Sequence, residues 1–226
     1  MIKSRYNAYF GQGSLILKPH DSSVVKRCIY YNNASEDERA TYAPAYIEKM
    51  EKLKRVNRAT LQENWFAIEI YERFDKILNV EVTIGPYDAV DINCDNAFLG
   101  INFHIELKVR YTPQENFNTI LLSQSKVANV CGKNKFPCYV VFVNTHEEET
   151  LVCKIESDDF IRRCCKKTFF DSYLIDRSHF YSICEWWKEI EVLIDQSKQY
   201  KKLMSDDIFL PVDSDIFLPM DSDIFE

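Results

Sequence analysis

Glycine is scarce in this chain, with five in 226 residues. That argues against Gly-rich loops that cradle phosphates, and neither a Walker-type nor a dinucleotide-binding fingerprint occurs. The opening residues, Met1-Ile2-Lys3-Ser4-Arg5-Tyr6-Asn7, lack the uninterrupted apolar run of a secretory leader. No stretch has the apolar length needed to span a bilayer. These absences lead us to expect an intracellular protein, cytoplasmic or nuclear, with no membrane partner. Cysteine is plentiful, but the Cys-x-x-Cys spacing of zinc and redox motifs is missing among Cys28, Cys94, Cys131, Cys138, Cys153, Cys164, Cys165 and Cys184. Free thiols in a reducing compartment are the expectation, since disulfide scaffolds belong to short secreted chains. Cys164, Cys165, His179 and Cys184 have no persuasive metal-ligand spacing.

What is present suits a globular domain: 46% hydrophobic and 14% aromatic residues. A net charge of −7 by itself disfavours nucleic acid, but the charge is uneven. Positions 201–226 hold seven acids and two lysines, leaving 26 basic and 28 acidic residues, a net of −2, in positions 1–200. A near-neutral body leaves room for a basic groove. The tail repeats Asp207-Ile208-Phe209, Asp215-Ile216-Phe217 and Asp223-Ile224-Phe225, with Leu-Pro after the first two copies. Proline at that period prevents a continuous helix, so positions 204–226 read as a disordered acidic segment. It suits a multivalent peptide ligand for a protein partner or a cover for a basic groove. A neutral duplication is the competing reading.

Positions 1–43 read as an extension of uncertain structure, and 44–203 as the folded domain. From Pro44 to Asn57, Tyr46, Met50, Leu53 and Val56 recur at helical spacing, among Lys49, Lys52, Lys54 and Arg55 with Arg58 just beyond. This predicts a helix with a basic outer face. Thr60 is a plausible cap for a second helix to about Leu78. Strands are predicted at Val80–Ile84, ending at Gly85-Pro86, and at Asp88–Asn93, with Asp95-Asn96 as a turn. Residues 111–118 read as a polar loop, Ser123 to about Lys133 as a short helix, and Cys138–Val143 and Thr150–Ile155 as paired strands. Phe180–Leu203 reads as a helix whose Trp186 and Trp187 belong to a core. The order predicts an α/β fold with a central mixed β-sheet flanked by helices.

The most regular segment is Ile101-Asn102-Phe103-His104-Ile105-Glu106-Leu107-Lys108-Val109-Arg110. Strict alternation makes it a strand, with Ile101, Phe103, Ile105, Leu107 and Val109 on a core face and Glu106 and Lys108 together on the other. A carboxylate and an ammonium two residues apart suit a metal-dependent phosphodiesterase, where one binds a hard cation and the other stands near the attacked phosphate. Upstream, Asp88 and Asp91 put an acid on or just before the neighbouring strand, and Glu63, Glu69 and Glu72 are available on the preceding helix. An acid pair with carbonyls and waters makes an oxygen set for Mg²⁺. His104 shares the polar face; it reads as an exposed strand histidine, with a proton shuttle as the sharper alternative.

Asp91, then fourteen residues, then Glu106-Leu107-Lys108, followed by Ser123-Gln124-Ser125-Lys126 opening a helix, resembles the PD-(D/E)XK nuclease superfamily, over about 61–143. The resemblance implies the restriction-endonuclease-like fold and Mg²⁺-dependent endonucleolytic cleavage of DNA, with Mn²⁺ a possible substitute and a homodimer possible. It implies metal-ligand and catalytic roles for Asp91 and Glu106, a catalytic lysine in Lys108, and an auxiliary role for Lys126, with Gln124 the alternative. The family's proline is not adjacent to Asp91. Pro86-Tyr87-Asp88 precedes it, so Asp88 stands as the alternative ligand. Glu69 is carried as a weak metal-ligand candidate. The competing functional class is a non-catalytic nucleic-acid or protein binding module with a nuclease-like core and a partner-recruiting tail.

Overall fold

The computed structural model describes residues 13–19, 22–84, 90–111, 119–132, 137–167 and 172–206. The acidic repeats from 207 onward, and Asp88 with its Gly85-Pro86 neighbours, lie outside the described residues.

Two short helices, α1 (Ser22–Asn33) and α2 (Glu36–Ala40), occupy the segment read as an extension. Ser35 caps α2 with a capping box: its hydroxyl accepts from the Glu38 amide while its own amide donates to the Glu38 carboxylate. Cys28 and Tyr31 of α1 pack with Met50 into a small satellite core. The long helix α3 (Pro44–Arg73) starts with proline at its first turn, where no amide partner is needed. It runs through the break expected at Thr60. Thr60 is buried, and its hydroxyl donates to the Val56 carbonyl one turn back, so it continues the helix instead of capping a new one.

Among the described residues, ten strands form two sheets. The main sheet has seven strands in the order β1 (Leu15–Ile16), β2 (Asn79–Val82), β3 (Ile92–Asn96), β4 (Ile101–Arg110), β6 (Cys138–Asn144), β7 (Glu149–Ile155) and β10 (Tyr181–Ser182). Parallel pairing of β1 with β2 and of β4 with β6, against antiparallel pairing elsewhere, makes it mixed. The α/β architecture expected from the element order is therefore observed. The turn between β3 and β4 lies at 97–100, not at Asp95-Asn96: both of those residues still pair with β4, and the Asn96 side chain accepts from the Leu99 amide. Gly100 takes the left-handed conformation (φ 70°) that the turn requires.

One face of the sheet packs on α3 and on α6 (Ile183–Asp206). Phe66, Ile70 and Phe74 meet Trp186, Trp187 and Ile190 there, and Phe66 stacks on Trp186 at 6.2 Å. Both tryptophans are core residues, as expected of the pair. The other face carries a second core beneath a small sheet ordered β5 (Thr119–Ser123), β9 (Ser172–Asp176) and β8 (Cys165–Lys167), with α4 (Gln124–Gly132) and α5 (Asp158–Cys164) beside it. Thr119-Ile120, between the polar loop and the helix read from the sequence, opens β5, and Ile120 and Leu122 point inward. The five-residue alternation is too short to announce itself; long-range pairing with β9 makes it a strand. No helix among the described residues is long and apolar enough to cross a membrane.

Candidate active site

The antiparallel register pairs Ile92 with Ile105, and the Asp91 amide donates to the Ile105 carbonyl at 2.9 Å. Continuing that register by one residue sets Asp91 across from Glu106, where cross-strand side chains share a face. Asp91 Oδ2 accepts from the Leu107 amide at 2.8 Å, which fixes the carboxylate against the backbone between Glu106 and Lys108. Lys108, two residues along β4, shares the Glu106 face and ion-pairs with Glu106 Oε1. Of the two, Lys108 is the more open to solvent.

The polar face of β4 is covered where Glu106 stands. Glu106 is 1% exposed, beside Leu122, Val127, Cys138 and Val140 under α4. Ser123 Oγ accepts from the Lys126 amide, a capping contact at the start of α4. Lys126 therefore lies in the first turn and reaches back over the strands. Its Nζ stands 2.8 Å from Asp91 Oδ1 and 3.0 Å from Glu106 Oε2. Of the two auxiliary candidates, Lys126 reaches the acids; Gln124 makes no hydrogen bond to them among the described residues.

A third acid comes from α3. Glu63 is largely buried, feels the Asp91 charge, and ion-pairs with Lys18 at 3.2 Å. Glu69, the candidate carried from the sequence, lies on the same helix. Six residues further on, it is rotated away and exposed to solvent. Lys18, just beyond β1, was missed altogether. Nothing in its local sequence marks it, because its position depends on β1 adding to the sheet edge beside β2 and on its amide bonding to Asn64.

Burial and the Asp91 charge push the Glu106 carboxyl above the usual glutamate range, although Lys108 and Lys126 oppose them. Burial and Asp91 likewise raise Glu63 against the pull of Lys18. Burial works against the charge on Lys126, but Glu106 and Asp91 outweigh it and hold the ammonium above the usual lysine value. His104 departs from expectation. It is buried, and its Nδ1 lies 2.9 Å from Asn93 Oδ1 on β3, so it is a satisfied cross-strand histidine and not an exposed one.

Among the described residues, no group of three or more His, Cys, Asp or Glu side chains is gathered tightly enough to hold a metal ion as the side chains stand. A two-carboxylate arrangement does fit one hard cation. Asp91 and Glu106 are close enough to share one ammonium, and buried Glu106 Oε2 has no well-aligned hydrogen-bond donor although Lys126 lies within ion-pair distance. Magnesium is commonly held by one or two carboxylates while keeping several waters.

No protein-family model matches this chain, and no curated protein matches it. Among solved structures, it is similar to a Holliday junction resolvase, Hjc, from Archaeoglobus fulgidus, at 15% sequence identity and a TM-score of 0.38. That similarity covers 56% of this chain and 92% of the resolvase.

Proposed function

We propose that this protein is a metal-dependent nuclease that hydrolyses phosphodiester bonds in DNA. The observation that carries the reading is the shared position of Asp91 and Glu106: one carboxylate of β4 and one immediately before β3 around one cationic centre, with a buried carboxylate oxygen of Glu106 lacking an aligned donor. Asp91 and Glu106 would hold Mg²⁺ or Mn²⁺, and Glu63, near enough to feel Asp91, would add negative charge beside them. The bound cation would supply a water activated for attack and would neutralise charge on the phosphate.

The chain's own residues have distinct tasks in this reading. The Leu107 amide orients Asp91, leaving its other oxygen for the shared centre. Lys126 holds the two carboxylates together against their repulsion. Lys108 sits on the open side of the pair, where its ammonium is placed to stabilise charge developing on a phosphate. The apolar wall under α4 lowers the local dielectric, so that each of these charges acts more strongly than it would in water.

The test is cleavage of supercoiled and linear DNA with Mg²⁺ and with EDTA by wild type, Glu106→Ala and Lys108→Ala. Loss in both variants with the fold retained supports the reading, and wild-type rates in both would remove it. Binding without cleavage by wild type would favour the non-catalytic class instead.

A further inference from the structure

The half of β4 that carries Lys108 is not fully covered by α3. Leu107 and Val109 are only partly buried and lie at the floor of a groove of about 360 Å³. Its walls are Arg55, Arg58, Ala59, Gln62 and Glu63 from α3, and Tyr111 just after β4. Arg55, Arg58, Gln62 and Glu63 are spaced three, four and one residues apart, so they follow one flank of the helix toward the acid patch. Arg55 and Glu63 are separated by eight residues, or about 12 Å along the helix. Glu63 lines this groove and also stands near enough to feel the Asp91 charge.

Both arginines are exposed, and among the described residues neither forms an ion pair with a carboxylate. Arg58 lies over the Tyr111 ring at 4.6 Å, and the Gln62 amide donates to the Tyr111 hydroxyl. The guanidinium is thus held over a platform that is itself anchored to the helix. A basic face that merely keeps a helix soluble needs no such support. Two guanidiniums about one turn apart, one of them held on Tyr111, above an apolar floor, match the alternation of phosphate and sugar along a nucleic-acid strand.

We infer that the groove between α3 and the end of β4 seats a DNA backbone alongside Glu63, at the edge of the acid patch, with Arg55 and Arg58 contacting successive phosphates and Tyr111 positioning Arg58. The inference rests on the nuclease reading for its destination, but its binding step is measured separately.

The experiment is fluorescence anisotropy with a labelled duplex of about 30 base pairs, in EDTA to stop cleavage, over a series of salt concentrations. Wild type is compared with Arg55→Ala/Arg58→Ala and Arg55→Lys/Arg58→Lys, each checked for an unchanged melting temperature. Loss of two phosphate contacts predicts at least about tenfold weaker binding near 0.1 M salt, with the slope of log affinity against log salt shallower by about 2. The lysine pair retains the charge and should keep most of the slope. No binding by wild type, or unchanged affinity and slope in the alanine pair, overturns the inference. Cleavage is read in parallel with Mg²⁺. If the slope falls as expected but wild type cuts nothing, the groove stands and the nuclease reading fails.

Discussion

Lys126 Nζ stands 2.8 Å from Asp91 Oδ1, and the same ammonium lies 3.0 Å from Glu106 Oε2. A lysine from the first turn of α4 thus balances one acid of β4 and another that immediately precedes β3. Removing it leaves like charges facing each other in a largely buried patch. Lys126→Ala is expected to lose about 1–3 kcal/mol of stability, below the range for a fully buried broken pair because the lysine is partly solvated. A divalent cation would replace the missing charge. The melting temperature of the variant should therefore rise more with added Mg²⁺ than that of wild type. Equal shifts in differential scanning fluorimetry would show that the cation does not bind between these acids.

Glu63 and Glu69 provide an internal comparison on one helix. Glu63 feels Asp91 and Glu69 faces solvent. Glu63→Gln should reduce Mg²⁺ affinity or cleavage by about 10–100-fold, as loss of a supporting group beside a metal site does. Glu69→Gln should leave both near wild type. Calorimetric Mg²⁺ titration and initial cleavage rates check this pair, and a larger effect at Glu69 would contradict the geometry.

Two raised carboxyl groups set the pH response. Glu106 and Glu63 both hold their protons more tightly in the folded chain than in the unfolded one. Their stabilising contribution is full below the ordinary glutamate value of about 4.3 and is lost as pH rises through their higher folded values. Cation binding runs the other way, because it requires the ionised groups. The acid limb of the cleavage rate should accordingly lie above the ordinary carboxylate range and move downward as Mg²⁺ concentration rises. An acid limb at ordinary carboxylate pH, insensitive to Mg²⁺, would count against Glu106 as a ligand.

His104 should matter for folding and little for chemistry. Replacing it with alanine breaks its contact with Asn93 and opens space in a buried strand pair. We expect a loss of about 1–3 kcal/mol in urea unfolding, with kcat for cleavage within a few-fold of wild type. A large loss of kcat at unchanged stability would reinstate it as a proton shuttle.

The parts of the fold legible in the sequence were those with a strong local period. The ten-residue alternation of β4 fixes which side chains share a face, and so brings Glu106 and Lys108 together. The apolar run of β6 and the tryptophan pair of α6 were equally plain. What escaped was set by packing across the chain. His104 looks exposed by alternation but is covered because β3 supplies Asn93. Thr60 resembles a cap but sits in a buried stretch where continuing the helix satisfies its hydroxyl. Lys18 meets Glu63 across a sequence separation of 45 through sheet-edge pairing, which no local pattern encodes. The choice of Lys126 over Gln124 follows from the direction in which the first turn of α4 faces the strands.

The most direct test of the central claim is the Mg²⁺-dependent cleavage rate of Glu106→Ala relative to wild type on the same DNA, with folding verified by melting temperature. The account predicts robust cleavage by wild type that EDTA abolishes, and a drop of about 10³-fold or more in the variant, the scale of losing a principal charge-stabilising group. Wild-type cleavage rates in a folded Glu106→Ala protein, or cleavage indifferent to divalent cations, would contradict it.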